Sequence, residues 1–89
     1  MKVLLVTYDF KKVKETYTDF YSVLKTAPHW AHYMENTWLL ATDDTPEIWF
    51  KKLEGKFFPE DRLLIVEISS SYYGWLPKEA WDWIKSRLE

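Results

Sequence analysis

The chain has no cysteine, two glycines, no extended hydrophobic run and no surplus of positive charge. Without cysteine there is neither a disulfide framework nor a thiolate metal site, so redox chemistry places no constraint on the compartment. There is no glycine-rich phosphate loop, and no Ser-His-Asp or Cys/His metal spacing stands in for one. The apolar start, Val3-Leu4-Leu5-Val6, is cut by Tyr8, Asp9 and Lys11, too soon for a signal core or a membrane span. Fourteen acidic residues against twelve basic ones give a net charge of −2, which disfavours strong non-specific binding to a polyanion. These absences predict one cytoplasmic domain over residues 1–89 with no membrane association. Repeats, low-complexity tracts and linkers are absent as well.

What is abundant is aromatic: six Trp, six Tyr and five Phe in 89 residues. Each can bury on the order of 150 to 250 Å². A domain of this size has too small a core to hide them all, so the surplus predicts a surface for self-association or for a partner. A homodimer is the simplest such assembly.

Hydrophobic periodicity orders the chain. Lys2–Tyr8 is apolar on both alternating faces, as a strand covered on both sides would be. Val13, Tyr17, Phe20, Tyr21 and Leu24 mark the inner side of an amphipathic helix over Phe10–Thr26, closed by Pro28. His29–Met34 and Thr37–Thr42 form a hairpin about Glu35-Asn36. Thr45-Pro46-Glu47 supplies a cap, a first helical position and an acid suited to the helix dipole. The second helix then turns Ile48, Trp49 and Leu53 inward and frays at Gly55. A fourth strand spans Arg62–Ser69, and Pro77 opens a third helix with Ala80, Trp81, Ile84 and Leu88 on one side.

The order β-α-β-β-α-β plus a C-terminal helix matches a ferredoxin-like α+β sandwich with a four-stranded antiparallel sheet. Right-handed crossovers place the first and third strands centrally, in the order four, one, three, two. Helices on one face leave the other, apolar in Val3–Val6 and Leu63–Val66, to be covered by a second copy. This topology brings Asp9 to one edge with Glu35, Glu60, Asp61 and Arg62, and sends Asp43 and Asp44 to the opposite edge.

Four stretches, "VTYDF" at 6–10, "HWAHYMENTWLLAT" at 29–42, "DRLLIVEIS" at 61–69 and "YYGWLPKEAWDWI" at 72–84, resemble the CRISPR-associated protein two superfamily. That superfamily includes the VapD-type ribonuclease toxins, and the similarity is greatest to its SinR-like small-protein branch. The resemblance implies a ferredoxin-like homodimer in which the aspartate ending the first strand, here Asp9, faces its symmetry mate. In some members a divalent metal between the two supports phosphodiester cleavage, which makes Asp9 the candidate catalytic residue and metal ligand. Mg²⁺ prefers such oxygen ligands and keeps several waters. Adaptation subunits follow the aspartate with an arginine-rich helix and end in a fifth strand. Here acids intersperse Lys11, Lys12, Lys14 and Lys25, and Gly74-Trp75-Leu76-Pro77 leads into a helix, which argues against a CRISPR integrase partnership.

Each candidate also has a structural reading. Asp9 is either an N-cap accepting from the amides of Lys11 or Lys12, or a metal ligand. Lys11, Lys12 and Lys14 are either a solvated helix face or contacts to the phosphates of RNA or DNA. His29 and His32, three apart on a strand, point to opposite faces and do not share an ion. In the last aromatic run, Trp75 and Trp81 cap the core, while Tyr72, Tyr73 and Trp83 are the candidate contacts to a protein partner. Stacking of nucleic-acid bases on Tyr72 or Tyr73 is the other use of that run. Two functions remain open: a metal-dependent nuclease, and a non-catalytic homodimeric interaction module built on the aromatic surface.

Overall fold

The computed structural model describes residues 1–88. Strands β1 (Lys2–Asp9), β2 (His29–Met34), β3 (Thr37–Thr42) and β4 (Arg62–Ile68) form one antiparallel sheet in the order β2-β3-β1-β4. Helices α1 (Thr18–Leu24), α2 (Pro46–Leu53) and α3 (Lys78–Leu88) pack on it, and a 3-10 turn over Lys14–Tyr17 precedes α1. The protein is thus α+β, with β1 and β3 at the centre of the sheet. Among the described residues no helix is long and apolar enough to cross a membrane.

The alternation of β1 divides the core. Leu4, Val6 and Tyr8 face α1 and α2 and pack with Tyr17, Phe20, Leu24, Trp38, Leu40, Trp49 and Leu53. Val3 and Leu5 face the other way, towards Ala31, Leu39, Ile68 and the Trp81 and Ile84 side of α3. Thr42 helps to seat α2: its hydroxyl accepts from the Trp49 indole N–H at 3.2 Å and from the Asp44 amide at 3.1 Å. Thr45 caps α2 by accepting from the Ile48 amide at 3.3 Å, with Pro46 next. Gly55, at φ 81°, turns the chain out of that helix in a conformation that other residues rarely adopt.

Four expectations need correction. The helix read over Phe10–Thr26 is shorter, because the Phe10 ring is stacked on Tyr8 at 4.2 Å and on Tyr17 at 3.8 Å, which keeps residues 10–13 out of the helix, bent at Lys11 and Lys12 and extended at Val13. Val13 is consequently exposed instead of facing inward, and so is Ile48 of α2. The second sheet face is not wholly bare: α3 and the segment leading to it cover the end that contains Val3 and Ile68. What stays open on that face is Leu64 and Val66, opposite Thr7 and Leu5, with Met34 beyond Thr37. Finally, Trp75 does not cap the core but stands fully in solvent.

Candidate functional site

Asp9 closes β1 opposite Arg62, on the face that carries Leu64 and Val66. Its carboxylate is exposed and makes one ion pair, with Lys11 Nζ at 3.1 Å. It does not cap the following segment. The Lys11 amide donates instead to Asp61 Oδ1 at 2.8 Å, and the Lys12 amide to the Tyr17 hydroxyl at 3.2 Å.

Asp61 is the structural carboxylate of this edge. It also accepts from the Phe58 amide at 2.9 Å and from the Tyr17 hydroxyl, 2.9 Å from both of its oxygens. Burial pushes its pKa up, but the donors from Lys11, Phe58 and Tyr17 and the charge of Lys12 outweigh that and hold it below the ordinary value. Burial, with the neighbouring carboxylate, raises Tyr17 in turn, although the Lys12 amide partly opposes the rise. With the Lys11 amide held by Asp61, no backbone donor claims Asp9.

The expected gathering of charged residues does occur, but with divided duties. Lys12 pairs with Glu60 at 3.3 Å and lies over the Phe58 ring. Lys11 pairs with Asp9, and Lys14 forms no ion pair among the described residues. A depression of about 240 Å³ lies here, lined by Asp9, Lys12, Lys14, Tyr21 and Glu35 among others. Asp43 and Asp44 sit at the far end of the sheet, near Lys2 and Lys52 respectively. For a divalent metal, this edge of one chain offers the exposed carboxylate of Asp9, paired with Lys11, with Glu35 lining the same depression, and no group of three or more His, Asp or Glu gathers among the described residues. A carboxylate oxygen is the kind of donor Mg²⁺ prefers, and this ion is commonly held by one or two carboxylates and completes its shell with water.

Comparison with protein-family models, curated proteins and solved structures finds no match.

The residues therefore carry the functional argument by themselves. Next to the first depression, and sharing Lys14 and Tyr21 with it, lies another of about 220 Å³, lined by Lys14, Tyr21, Lys25, Trp30, His32 and Trp38. Tyr21 and His32 both lie nearly parallel to Trp38, at 13° and 15°. Burial, together with the neighbouring Tyr8, pushes the Tyr21 hydroxyl up to about 12, so it remains a neutral phenol. His32 Nε2 is 2.9 Å from the Glu35 carbonyl, which can only accept, so that nitrogen carries a proton. His29 lies on the other face, beside Arg87 of α3. The sequence reading treated the two histidines together and missed this aromatic set. The available signal was the four-residue spacing of Tyr21 and Lys25, one helical turn apart, just before Trp30.

The aromatic candidates near the C-terminus separate by depth. Tyr72 is half-buried and stacks on Trp81 at 6.2 Å, and Trp83 is half-buried beneath Arg87, 4.4 Å from its ring centre. Tyr73 and Trp75 are completely exposed, at 102% and 100%. They border an open groove of about 700 Å³ that also includes Leu76, Trp81 and Lys85. Trp75, first read as a core residue, is thus the most accessible tryptophan of the run.

Proposed function

We propose that this protein is a ferredoxin-like homodimer of the CRISPR-associated protein two and VapD type, and that it cleaves phosphodiesters with a divalent metal at paired Asp9 residues. The observation that carries this reading is the release of Asp9 from structural duty. The carboxylate at the end of β1 caps nothing, because Asp61 holds the Lys11 amide, and it lies exposed next to the open apolar strip of Leu64 and Val66. Pairing two copies through that strip would bring a second carboxylate to the same edge, giving a hard cation two carboxylate ligands. Each Asp9 would hold the metal through an oxygen, displacing its own Lys11. Bound there, Mg²⁺ supplies Lewis-acid assistance to phosphodiester cleavage. The freed Lys11, with Lys14 in the depression that Asp9 lines, would meet phosphate oxygens.

The test is cleavage of single-stranded RNA, single-stranded DNA and duplex DNA by wild-type and Asp9→Asn protein, with Mg²⁺ or Mn²⁺ and with chelator. Metal-dependent cleavage is expected from the wild type and should fall at least 100-fold in Asp9→Asn, which keeps its fold because Asp9 caps nothing. Absence of cleavage by the wild type, or equal cleavage by both, overturns the nuclease reading.

One observation favours a second reading, a non-catalytic module that binds a protein: Tyr73 and Trp75 expose both rings beside the groove of about 700 Å³. Aromatic anchors of this kind dominate protein interfaces. On this reading Tyr73→Ala and Trp75→Ala abolish partner capture, while Asp9→Asn leaves it intact.

A further inference from the structure

Two depressions adjoin at Lys14 and Tyr21, which line both, and we treat them together as one trough. It runs from Asp9 and Glu35 at one end to Lys25, Trp30 and His32 at the other. Its floor at the second end is aromatic: Trp30 lies 5.2 Å from Trp38, and His32 stacks on Trp38 at 4.1 Å. Its rim carries Lys14 and Lys25, neither of which forms an ion pair among the described residues. The Lys25 ammonium instead lies 5.6 Å from the centre of the Trp30 ring. Trp30 keeps two-fifths of its surface in water despite its aromatic neighbours.

We propose that this trough is a subsite for single-stranded nucleic acid, in which one base lies against Trp30 and the adjoining phosphates meet Lys14 and Lys25. The proposal rests on the cleavage reading only in making the bound strand the substrate presented to Asp9. Ring faces and unpaired ammonium groups side by side match the two parts of a nucleotide, a planar base and an anionic phosphate. A depression of about 220 Å³ admits a base that has left its stack, whereas a duplex keeps its base faces covered. The opposing charges in the trough are Asp9 and Glu35, and Lys12 is already held by Glu60. Attraction to phosphate is therefore short-ranged and limited to two lysines, and stacking provides most of the recognition. This removes the conflict with a net charge of −2.

The experiment is fluorescence anisotropy of labelled 12-nucleotide RNA, DNA and duplex DNA with the intact chain, in EDTA so that no cleavage occurs. Wild type should bind the single strands, and the duplex at least 10-fold more weakly, and the RNA and DNA arms identify the preferred sugar. With two phosphate contacts, the slope of log K against log salt should be about −1.4. Lys14→Gln with Lys25→Gln should flatten that slope towards zero; both side chains are exposed, so the fold is not at stake. Trp30→Ala should weaken binding about 10-fold. Trp75→Ala, in the other groove, should have no effect. No single-strand binding by the wild type, equal binding by the lysine variant, or loss of binding in Trp75→Ala would each overturn the subsite. Binding without metal-dependent cleavage overturns the nuclease reading and leaves the trough standing; cleavage with unchanged binding in the trough variants does the reverse.

Discussion

At Asp61 folding takes a carboxylate out of water and gives it three donors in return, the amides of Lys11 and Phe58 and the hydroxyl of Tyr17. Removing part of that set leaves buried donors unmatched, at about 2 kcal/mol. Asp61→Asn should lower the urea midpoint at pH 7 accordingly. Because the folded pKa lies below the ordinary value of 3.8, the stabilisation is complete above that value and disappears as pH falls through the folded one. The difference between wild type and Asp61→Asn should therefore shrink in acid below about pH 4, measured by denaturant titration at several pH values. The exchange of roles between Asp9 and Asp61 shows where reading the chain residue by residue stops. An aspartate just before a helical pattern is the usual place to find a cap, and nothing near Asp9 in sequence signals that the donor two residues on will be claimed by a carboxylate fifty positions away.

Among the elements, those fixed by local pattern were legible and those fixed by aromatic packing were not. The two-sided apolar run of β1 and the Thr45-Pro46 start of α2 act over a few residues, and both elements form where the pattern places them. The start of α1 was misplaced because the stacking of Phe10 between Tyr8 and Tyr17 outweighs the helical spacing of Val13. The same holds before α3. Tyr72 and Leu76 pack inward while Tyr73 and Trp75 point outward, and composition alone does not distinguish them. Thermal melts make the distinction directly: Trp81→Ala should cost about 3 kcal/mol, losing also the bond from its indole N–H to the Leu76 carbonyl. Trp75→Ser, by contrast, should leave the midpoint unchanged within error. An equal loss in both variants would mean that Trp75 is covered in solution.

For the whole molecule, the excess of aromatic side chains is resolved in two ways. Most are accommodated by giving both sheet faces a core, one under α1 and α2 and one under α3, a division that the sequence reading replaced with a single covered face. The remainder is left at the surface, together with the strip of Leu64 and Val66. If that strip joins two copies, Leu64→Lys should convert a dimer to a monomer by sedimentation equilibrium at micromolar concentration while leaving the protomer's melting cooperative. A monomeric wild type at high micromolar concentration would contradict the assembly. The bond between the Lys11 amide and Asp61 has one more consequence, in time and not in space. The Lys11 amide and the Tyr17 hydroxyl have no Asp61 to bond until the residues leading into the strand that begins at Arg62 have been made and laid beside β1. During synthesis the lysine-rich stretch between those two residues stays open to trypsin long after the first strand has left the ribosome. Its protection therefore marks the moment at which the last strand docks.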